Sequence, residues 1–270
     1  MDGQTKKRYV YSFQTIIRFE NAISHHFFKL RAVPTENFCQ KLISSNFTVK
    51  PKSLVVIGYD SWGNQIQYGS QTESHDVFIV ASSGKVELTS YKIEAKSVEK
   101  LFFTCSPLTG VSVEMVNFLR DNMPNFKAED FASKPENIAK ALYLSHLIYK
   151  YMNYSVGVTS TTTTANDAFQ MGKGVCQDFS HILIALCRKL GIAARYVNGL
   201  MEGEGESHAW AEVYSDGYWW GVDPTNDRLI EFGYIKIAHG RDASDCHLNR
   251  GVFSGKTVQE NCVRVAVVEL

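Results

Sequence analysis

The sequence predicts an α+β protein in two parts, and three features of the chain support that prediction. Short runs of β-branched and aromatic residues occupy roughly the first hundred positions. Helical periodicity begins at residue 111, and strand-like runs return after residue 194, so helices precede an antiparallel-looking sheet. We expect a β-rich domain over residues 1–105 and an α+β core over residues 106–270, with the break in the loop 106–110.

The β-rich part is predicted from six runs, at residues 8–19, 27–33, 53–59, 65–71, 76–82 and 85–93. Turn residues separate several of them, at 60–64 and at 82–84. Runs of this length and spacing are typical of an antiparallel sandwich, so we expect a β-sandwich-like domain. No constellation of acid, base and nucleophile is visible in it, which favours a packing or partner-binding role.

The core begins with predicted helices. A short helix is expected at residues 111–122, and Ser133 and Glu136 have the spacing of a capping box before a second one. Thr164 and Asp167 have the same spacing at the end of a threonine-rich loop. Later strands are predicted at residues 194–198, 209–214, 218–222, 234–238 and 263–268, which we place together in the sheet of the core.

Composition limits the partners. The 270 residues include 28 Lys plus Arg and 28 Asp plus Glu, so no electrostatic attraction to nucleic acid or to an anionic membrane is expected. No run approaches the ~20 apolar residues of a membrane span. The N-terminus lacks the apolar region of a signal peptide, so we expect a cytoplasmic protein. The oligomeric state is not predictable from these features.

The six cysteines are scattered, without a CxxC pair. Disulfide frameworks are typical of short secreted chains, so we expect free thiols, at most one of them reactive. His239, Cys246 and His247 are close in sequence, but their spacing is not that of a zinc site. We therefore expect neither a metal nor a cofactor.

Cys176 is the candidate nucleophile. It lies at the start of the most regular predicted helix, residues 174–190, whose apolar stripe is Phe179, Ile182, Leu183, Leu186, Cys187 and Leu190. Gly191 ends this helix as a glycine cap does. A helix N-terminus stabilises a thiolate through its oriented N–H groups. Position alone equally allows a buried cysteine without a chemical role.

His208 and Asp223 are the candidates for the base and for the group that orients it. His208 precedes a strand-like run, from which it can reach a helix N-terminus. Asp223 ends an aromatic strand at an Asp-Pro turn, where its carboxylate can orient the imidazole. Separately they could be a surface histidine and a turn-forming aspartate. Together with Cys176 they indicate a catalytic triad.

These segments resemble a known family. GKGVCQDFSHI, SHAWAEVY and GVDPTN are similar to the three motifs of bacterial transglutaminase-like proteins, and IKIAHGRDASD followed by NRGVFSG is similar to their C-terminal signature. The first part, from YVYSFQTIIRF to YDSWGNQIQY, resembles the β-domain that precedes the core in this family. The resemblance implies a papain-like α+β core, with the Cys–His–Asp triad at Cys176, His208 and Asp223.

The supporting residues are less constrained. An oxyanion hole needs the backbone N–H of Cys176 and a second donor. Tyr154 is one candidate, from its place in the family core, and Gln170 is another, because papain-like enzymes carry a glutamine shortly before the nucleophile. Gln177 and Asp178 are expected to cap and charge the helix start, and Trp210 to pack beside the histidine. No calcium site of the animal members is implied.

The family contains amide hydrolases, amine-transferring enzymes and inactive members. We expect an acyl-transfer enzyme that attacks peptide or isopeptide amides of a peptide or protein substrate through a thioester. Water is the acceptor that is always present, which favours hydrolysis over transfer to the amine of a second substrate. A transglutaminase that modifies protein glutamine and a non-catalytic binding or scaffold protein stay open as alternatives.

Overall fold

The computed structural model describes residues 5–131 and 134–270. The strands of the first part are β1 (Lys7–Leu30), β2 (Gln40–Lys50), β3 (Leu54–Tyr59), β4 (Gln65–Gln71), β5 (His75–Leu88) and β6 (Lys92–Glu94). The middle of the chain forms the helices α1 (Val113–Asn122), α2 (Glu136–Tyr151), α3 (Ala165–Met171) and α4 (Cys176–Lys189), with the short strands β7 (Asn153–Tyr154) and β8 (Lys173–Gly174) between them.

The remaining strands follow α4. They are β9 (Ala194–Met201), β10 (Gly203–Gly205), β11 (His208–Ser215), β12 (Tyr218–Asp223), β13 (Arg228–Leu229), β14 (Tyr234–Gly240), β15 (Asn249–Ser254) and β16 (Gln259–Glu269). The architecture is therefore an α+β core with a β-rich N-terminal region, as the sequence predicts.

The N-terminal sheet is built around β1, which is long enough to pair with four other strands. Its first half lies between β5 and β16, and its second half pairs with β4 and β15, all antiparallel. The side chains of β1 alternate between buried and exposed, and Tyr9, Tyr11 and Phe13 are among those that face the core. This alternation is the signature of a sheet with one face packed.

The prediction of a turn at residues 82–84 is wrong. β5 runs straight through Gly84, which pairs with Ser45 of β2, a strand that the sequence pattern did not indicate. A Cβ at Gly84 would collide with the carbonyl oxygen of Ser44, next to a register shift in β2. The glycine thus serves a close approach of two strands, which local sequence does not distinguish from a turn.

The expectation that residues 263–268 belong to the core sheet is also wrong. They are part of β16, which pairs with β1 from Tyr9–Glu269 to Phe19–Gln259. Conversely, β6, which belongs to the first part of the chain, pairs with β12 of the core sheet. The division at residue 105 stays a prediction, and these pairings add that each sheet contains strands from both sides of it.

The core sheet has the order β13-β12-β11-β9-β14, and α4 packs on β11 and β9. The predicted helix starts and ends are largely confirmed: Thr164 and Asp167 form a capping box, and Gly191 has a φ of 74° just after α4. Ser133, the expected cap of α2, lies outside the described residues. Among the helices of the described chain, none is both long and apolar enough to cross a membrane.

Candidate active site

Cys176 is the first residue of α4, and a buried carboxylate holds the chain in place there. Asp178 Oδ2 accepts hydrogen bonds from the N–H of Val175 at 2.8 Å and from Oγ1 of Thr159 at 2.7 Å. A Cβ at Gly174 would lie only 2.5 Å from this carboxylate oxygen, so a glycine is needed at that position. Asp178 therefore caps the helix and orients Cys176.

His208 and Asp223 come from the adjacent strands β11 and β12. Nε2 of His208 donates to Oδ2 of Asp223 at 2.8 Å, because a carboxylate only accepts. The imidazole and the thiol of Cys176 line the same groove, and the proximity of the thiol contributes to a raised pKa of His208. Since Asp223 occupies Nε2, Nδ1 is the nitrogen left to face the sulfur. The structure thus brings the three predicted triad residues together in the predicted order.

Asp223 is fully buried and has further donors. The hydroxyl of Tyr234 and Nδ2 of Asn226 each donate to its Oδ2 at 2.7 Å, and the N–H groups of Thr225 and Asn226 donate to its Oδ1. Sequence reasoning missed Tyr234, because nothing local connects β14 to the end of β12. Asn226 lies within the motif GVDPTN, and that motif could have indicated it.

The site has a strongly coupled pair of charges. Burial lowers the pKa of His208, but the hydrogen bond to Asp223, the proximity of Cys176 and the charge of Asp223 outweigh burial and raise this pKa to about 9. Burial raises the pKa of Asp223, but its bonds to His208, Asn226 and Tyr234 lower it to about 2. At neutral pH the pair is therefore imidazolium and carboxylate.

A groove of about 320 Å³ opens in front of Cys176 and His208. Tyr154 lines it, as expected of a donor candidate, and its ring lies 6.4 Å from that of Phe179. Burial, and then the proximity of Cys176 and Glu206, raise the pKa of Tyr154, so its hydroxyl keeps its proton. The groove is acidic, since three more lining residues are Glu202, Glu204 and Glu206.

Two of the expected supporting residues lie elsewhere. Gln170 is exposed on α3 and is not among the residues that line the groove of Cys176, so the structure does not place it with the triad. Gln177 does not cap α4: its Nε2 donates to the carbonyl of Ser160 at 3.3 Å, and Asp178 is the cap. Sequence distance from the nucleophile did not reveal which way either side chain points.

Trp210 packs beside His208, as expected. It is fully buried, its ring lies 6.4 Å from the imidazole in a stacked arrangement, and its Nε1 donates to the hydroxyl of Tyr91 at 3.0 Å. Among the described residues, no group of three His, Cys, Asp or Glu side chains is arranged to hold a metal ion.

The fold and the site together define a class of protein in which a cysteine at a helix start faces a histidine and an aspartate on adjacent strands. Family models agree with this class. Residues 125–224 match the transglutaminase-like superfamily, and residues 9–87 match the bacterial transglutaminase-like N-terminal region. The chain belongs to the transglutaminase-like superfamily and carries the N-terminal region of its bacterial members.

Similar proteins span nearly the whole chain. An uncharacterized protein of Mycobacterium leprae (strain TN) is 27% identical over 269 residues, covering 93% of this chain and 95% of that protein. An uncharacterized protein of Mycobacterium tuberculosis (strain ATCC 25618 / H37Rv) is 26% identical, covering 95% and 90%. A crystal structure of a candidate cysteine protease from Cytophaga hutchinsonii superposes with a TM-score of 0.79 at 22% identity, covering 98% of this chain and 91% of that one. This last similarity establishes a shared fold.

Proposed function

We propose that the protein is a cysteine-nucleophile enzyme that cleaves peptide or isopeptide amide bonds through a thioester. The observation that carries the proposal is the hydrogen bond between His208 and Asp223 beside Cys176, in an open groove that Cys176 and His208 both line. The fold shared with a candidate cysteine protease supports the same chemistry. A buried acid–base pair beside a nucleophile is the arrangement that covalent catalysis requires.

The steps follow from the protonation states. In the attacking form the thiol proton resides on His208, and the sulfur of Cys176 adds to the carbonyl carbon of the amide. As the C–N bond breaks, the imidazolium gives its proton to the leaving nitrogen, and a thioester remains. Water then attacks the thioester with His208 as the base, which releases the acid and the thiol. Asp223 stays ionised throughout and stabilises the imidazolium.

The oxyanion formed in each step needs two donors. The backbone N–H of Cys176 is one, because the first N–H groups of a helix have no intrahelical acceptor. Tyr154 is the second in this proposal, since its side chain lines the same groove and remains protonated. Gln170, which does not line this groove, takes no part in the proposal.

Hydrolysis is favoured over amine transfer by the positions of the tryptophans. A transferase needs a water-excluding apolar path for the acceptor amine. Trp219 is buried against Phe102 and Tyr214, Trp220 donates to the carbonyl of Ser215, and Trp210 lies in the core. In residues 5–131 and 134–270, no tryptophan lines the groove of Cys176, so none of them shields the thioester from water.

Amine transfer has one observation in its favour, the three glutamates of the groove. A carboxylate attracts the ammonium group of a lysine side chain and raises its local concentration. A glutamine-containing peptide library, offered together with a labelled primary amine, separates the two reactions by mass spectrometry. Cleaved and deamidated products should exceed labelled ones; an excess of labelled peptide would replace hydrolysis by transfer.

Labelling of the thiol distinguishes the proposed enzyme from a scaffold protein that lacks an activated nucleophile. Iodoacetamide labelling at pH 6 is measured by peptide mapping, with Cys105 and Cys262, both exposed, as reference thiols in the same molecule. Cys176 should label faster than either reference, and His208→Ala should remove that difference. Equal labelling of the three cysteines would contradict an activated nucleophile.

A further inference from the structure

A second cavity adjoins the groove of Cys176, and the mechanism above does not use it. Its volume is about 490 Å³. Ser207, which precedes His208, lines both cavities, and Gln177, which follows Cys176, lines the second one. The chain neighbours of the proposed nucleophile and of the proposed base therefore both face this space.

One wall of the second cavity is a single face of two paired strands. It consists of three cross-strand pairs of β1 and β16: Thr15 with Val263, Ile17 with Asn261, and Phe19 with Gln259. Alternate residues of a strand point to the same side, so these six side chains form a continuous surface. The N-terminal sheet thus builds one side of a cavity whose other side belongs to the core.

The lining is rich in carboxamides, and two of them lack a partner. Five such side chains line the cavity: Gln177, Asn198, Asn249, Gln259 and Asn261. Within the described chain, Oδ1 of Asn198 and Oδ1 of Asn249 are buried and accept no hydrogen bond. A buried acceptor without a donor is unfavourable, so both oxygens favour a ligand that brings N–H groups.

We infer that this carboxamide cavity binds an extended segment of the substrate polypeptide beside the amide bond that Cys176 attacks. The inference rests on the proposed function, because only an amide substrate at Cys176 would extend into this space. Backbone N–H groups of the segment donate to Asn198 and Asn249, and its carbonyls accept from the remaining carboxamides. The wall from Thr15 to Phe19 is about 13 Å long, which fits about four extended residues.

The probes are iodoacetyl peptides and peptidyl iodomethyl ketones that carry zero to five alanines. The two series extend the chain in opposite directions from the reactive carbon, so either orientation of the substrate is sampled. The rate of Cys176 alkylation is measured by peptide mapping relative to Cys105. In one series the relative rate should rise at least about tenfold by the fourth alanine, as one or two added hydrogen bonds give.

Two matched variants locate the effect. Asn261→Trp fills the cavity from an exposed position of β16, and Cys262→Trp adds the same bulk on the opposite face of the same strand. The dependence on peptide length should disappear in the first variant and persist in the second. Asn249→Ala should reduce it by about threefold to tenfold, the effect of one lost hydrogen bond.

The outcomes separate this inference from the proposed function. Slow labelling of Cys176 by iodoacetamide itself would contradict the nucleophile and, with it, both proposals. Rapid labelling that does not depend on peptide length in either series would overturn the carboxamide cavity alone. So would a wild-type length dependence in Asn261→Trp.

Discussion

Strand β11 carries two buried groups of charges on one face. They differ in whether open space adjoins them. Near its end, Glu212 is fully enclosed: Lys236 donates to both carboxylate oxygens, Arg195 to one of them, and the hydroxyl of Tyr91 to the other at 2.6 Å. At its start, His208 is bound to Asp223 but remains 9% exposed.

Trp210 separates the two groups, since it stacks on His208 and donates to Tyr91. Both groups have carboxylates with a pKa of about 2, so a perturbed pKa does not distinguish them. What distinguishes them is the groove: a thiol and open space adjoin His208, whereas protein surrounds Glu212 on every side. We therefore expect the Glu212 group to govern stability and the His208 group to govern reactivity.

The largest effect is expected from Cys176→Ala. Turnover should fall by about 10⁶-fold, to the background of the assay, because no other group replaces the nucleophile. His208→Ala should lose nearly as much. The measurement is kcat/KM on the best peptide of the library, with Cys105→Ala as the control at an exposed cysteine. Turnover that survives in Cys176→Ala would end the mechanism.

Glu212→Gln should reduce stability and leave the reactivity of Cys176 unchanged. Removing the anion leaves Lys236 and Arg195 buried without their charged partner, and such a change costs about 3–5 kcal/mol. Urea unfolding should show that loss, whereas the exposed Glu260→Gln should not. Labelling of Cys176 in the folded fraction should stay at the wild-type rate. A stable Glu212→Gln protein with an unreactive Cys176 would reverse the assignment of the two groups.

The pH dependence of wild-type stability should also show the direction in which the pKa of Glu212 is shifted. Burial alone would raise this pKa, but the charges of Arg195 and Lys236 outweigh burial and lower the pKa to about 2. A carboxylate with a depressed pKa contributes stability above its unfolded value, about 4.3, which is lost as the pH falls towards 2. Unfolding measured between pH 5 and 2 should therefore be less pH-dependent in Glu212→Gln than in the wild type.

Asp223→Asn should leave measurable activity, because Asp223 orients the imidazole and does not react. Losing one charge-assisted hydrogen bond predicts a decrease of about 10- to 100-fold in kcat/KM. Without the carboxylate, the pKa of His208 should fall from about 9, so the alkaline limb of the activity profile should move to lower pH. Titration of the imidazole by NMR checks this directly, and an unmoved alkaline limb would show that His208 does not control it.

Tyr234→Phe should have the smallest effect. It removes one of several donors to Asp223, about 1 kcal/mol or fivefold in kcat/KM. The pKa of Asp223 should rise slightly, because one stabilising bond to its anion is lost. Tyr149→Phe, at an exposed tyrosine, is the control. A decrease as large as that of Asp223→Asn would mean that Tyr234 holds the whole group in place.

Much of this molecule could be predicted from local sequence. The helix α4, its terminal Gly191 and the position of Cys176 at its start follow from an apolar stripe and from end signals within a few residues. The triad residues could be predicted because each lies in a motif at a helix start or at the end of a strand. Periodicity and helix caps act over one or two turns of chain, so a short window contains them.

Only the tertiary structure decided the rest. The pairing of β16 with β1 joins residues about 250 positions apart, and no local pattern encodes which strand edge a segment will meet. The same pairing creates the wall of the carboxamide cavity, and the fold of the core sheet brings the hydroxyl of Tyr234, on β14, to Asp223 at the end of β12. The exposed position of Gln170, away from the groove, likewise depends on how α3 packs in the fold. Side chains that meet across the fold are selected by packing and by available partners, which exist only once the chain has folded.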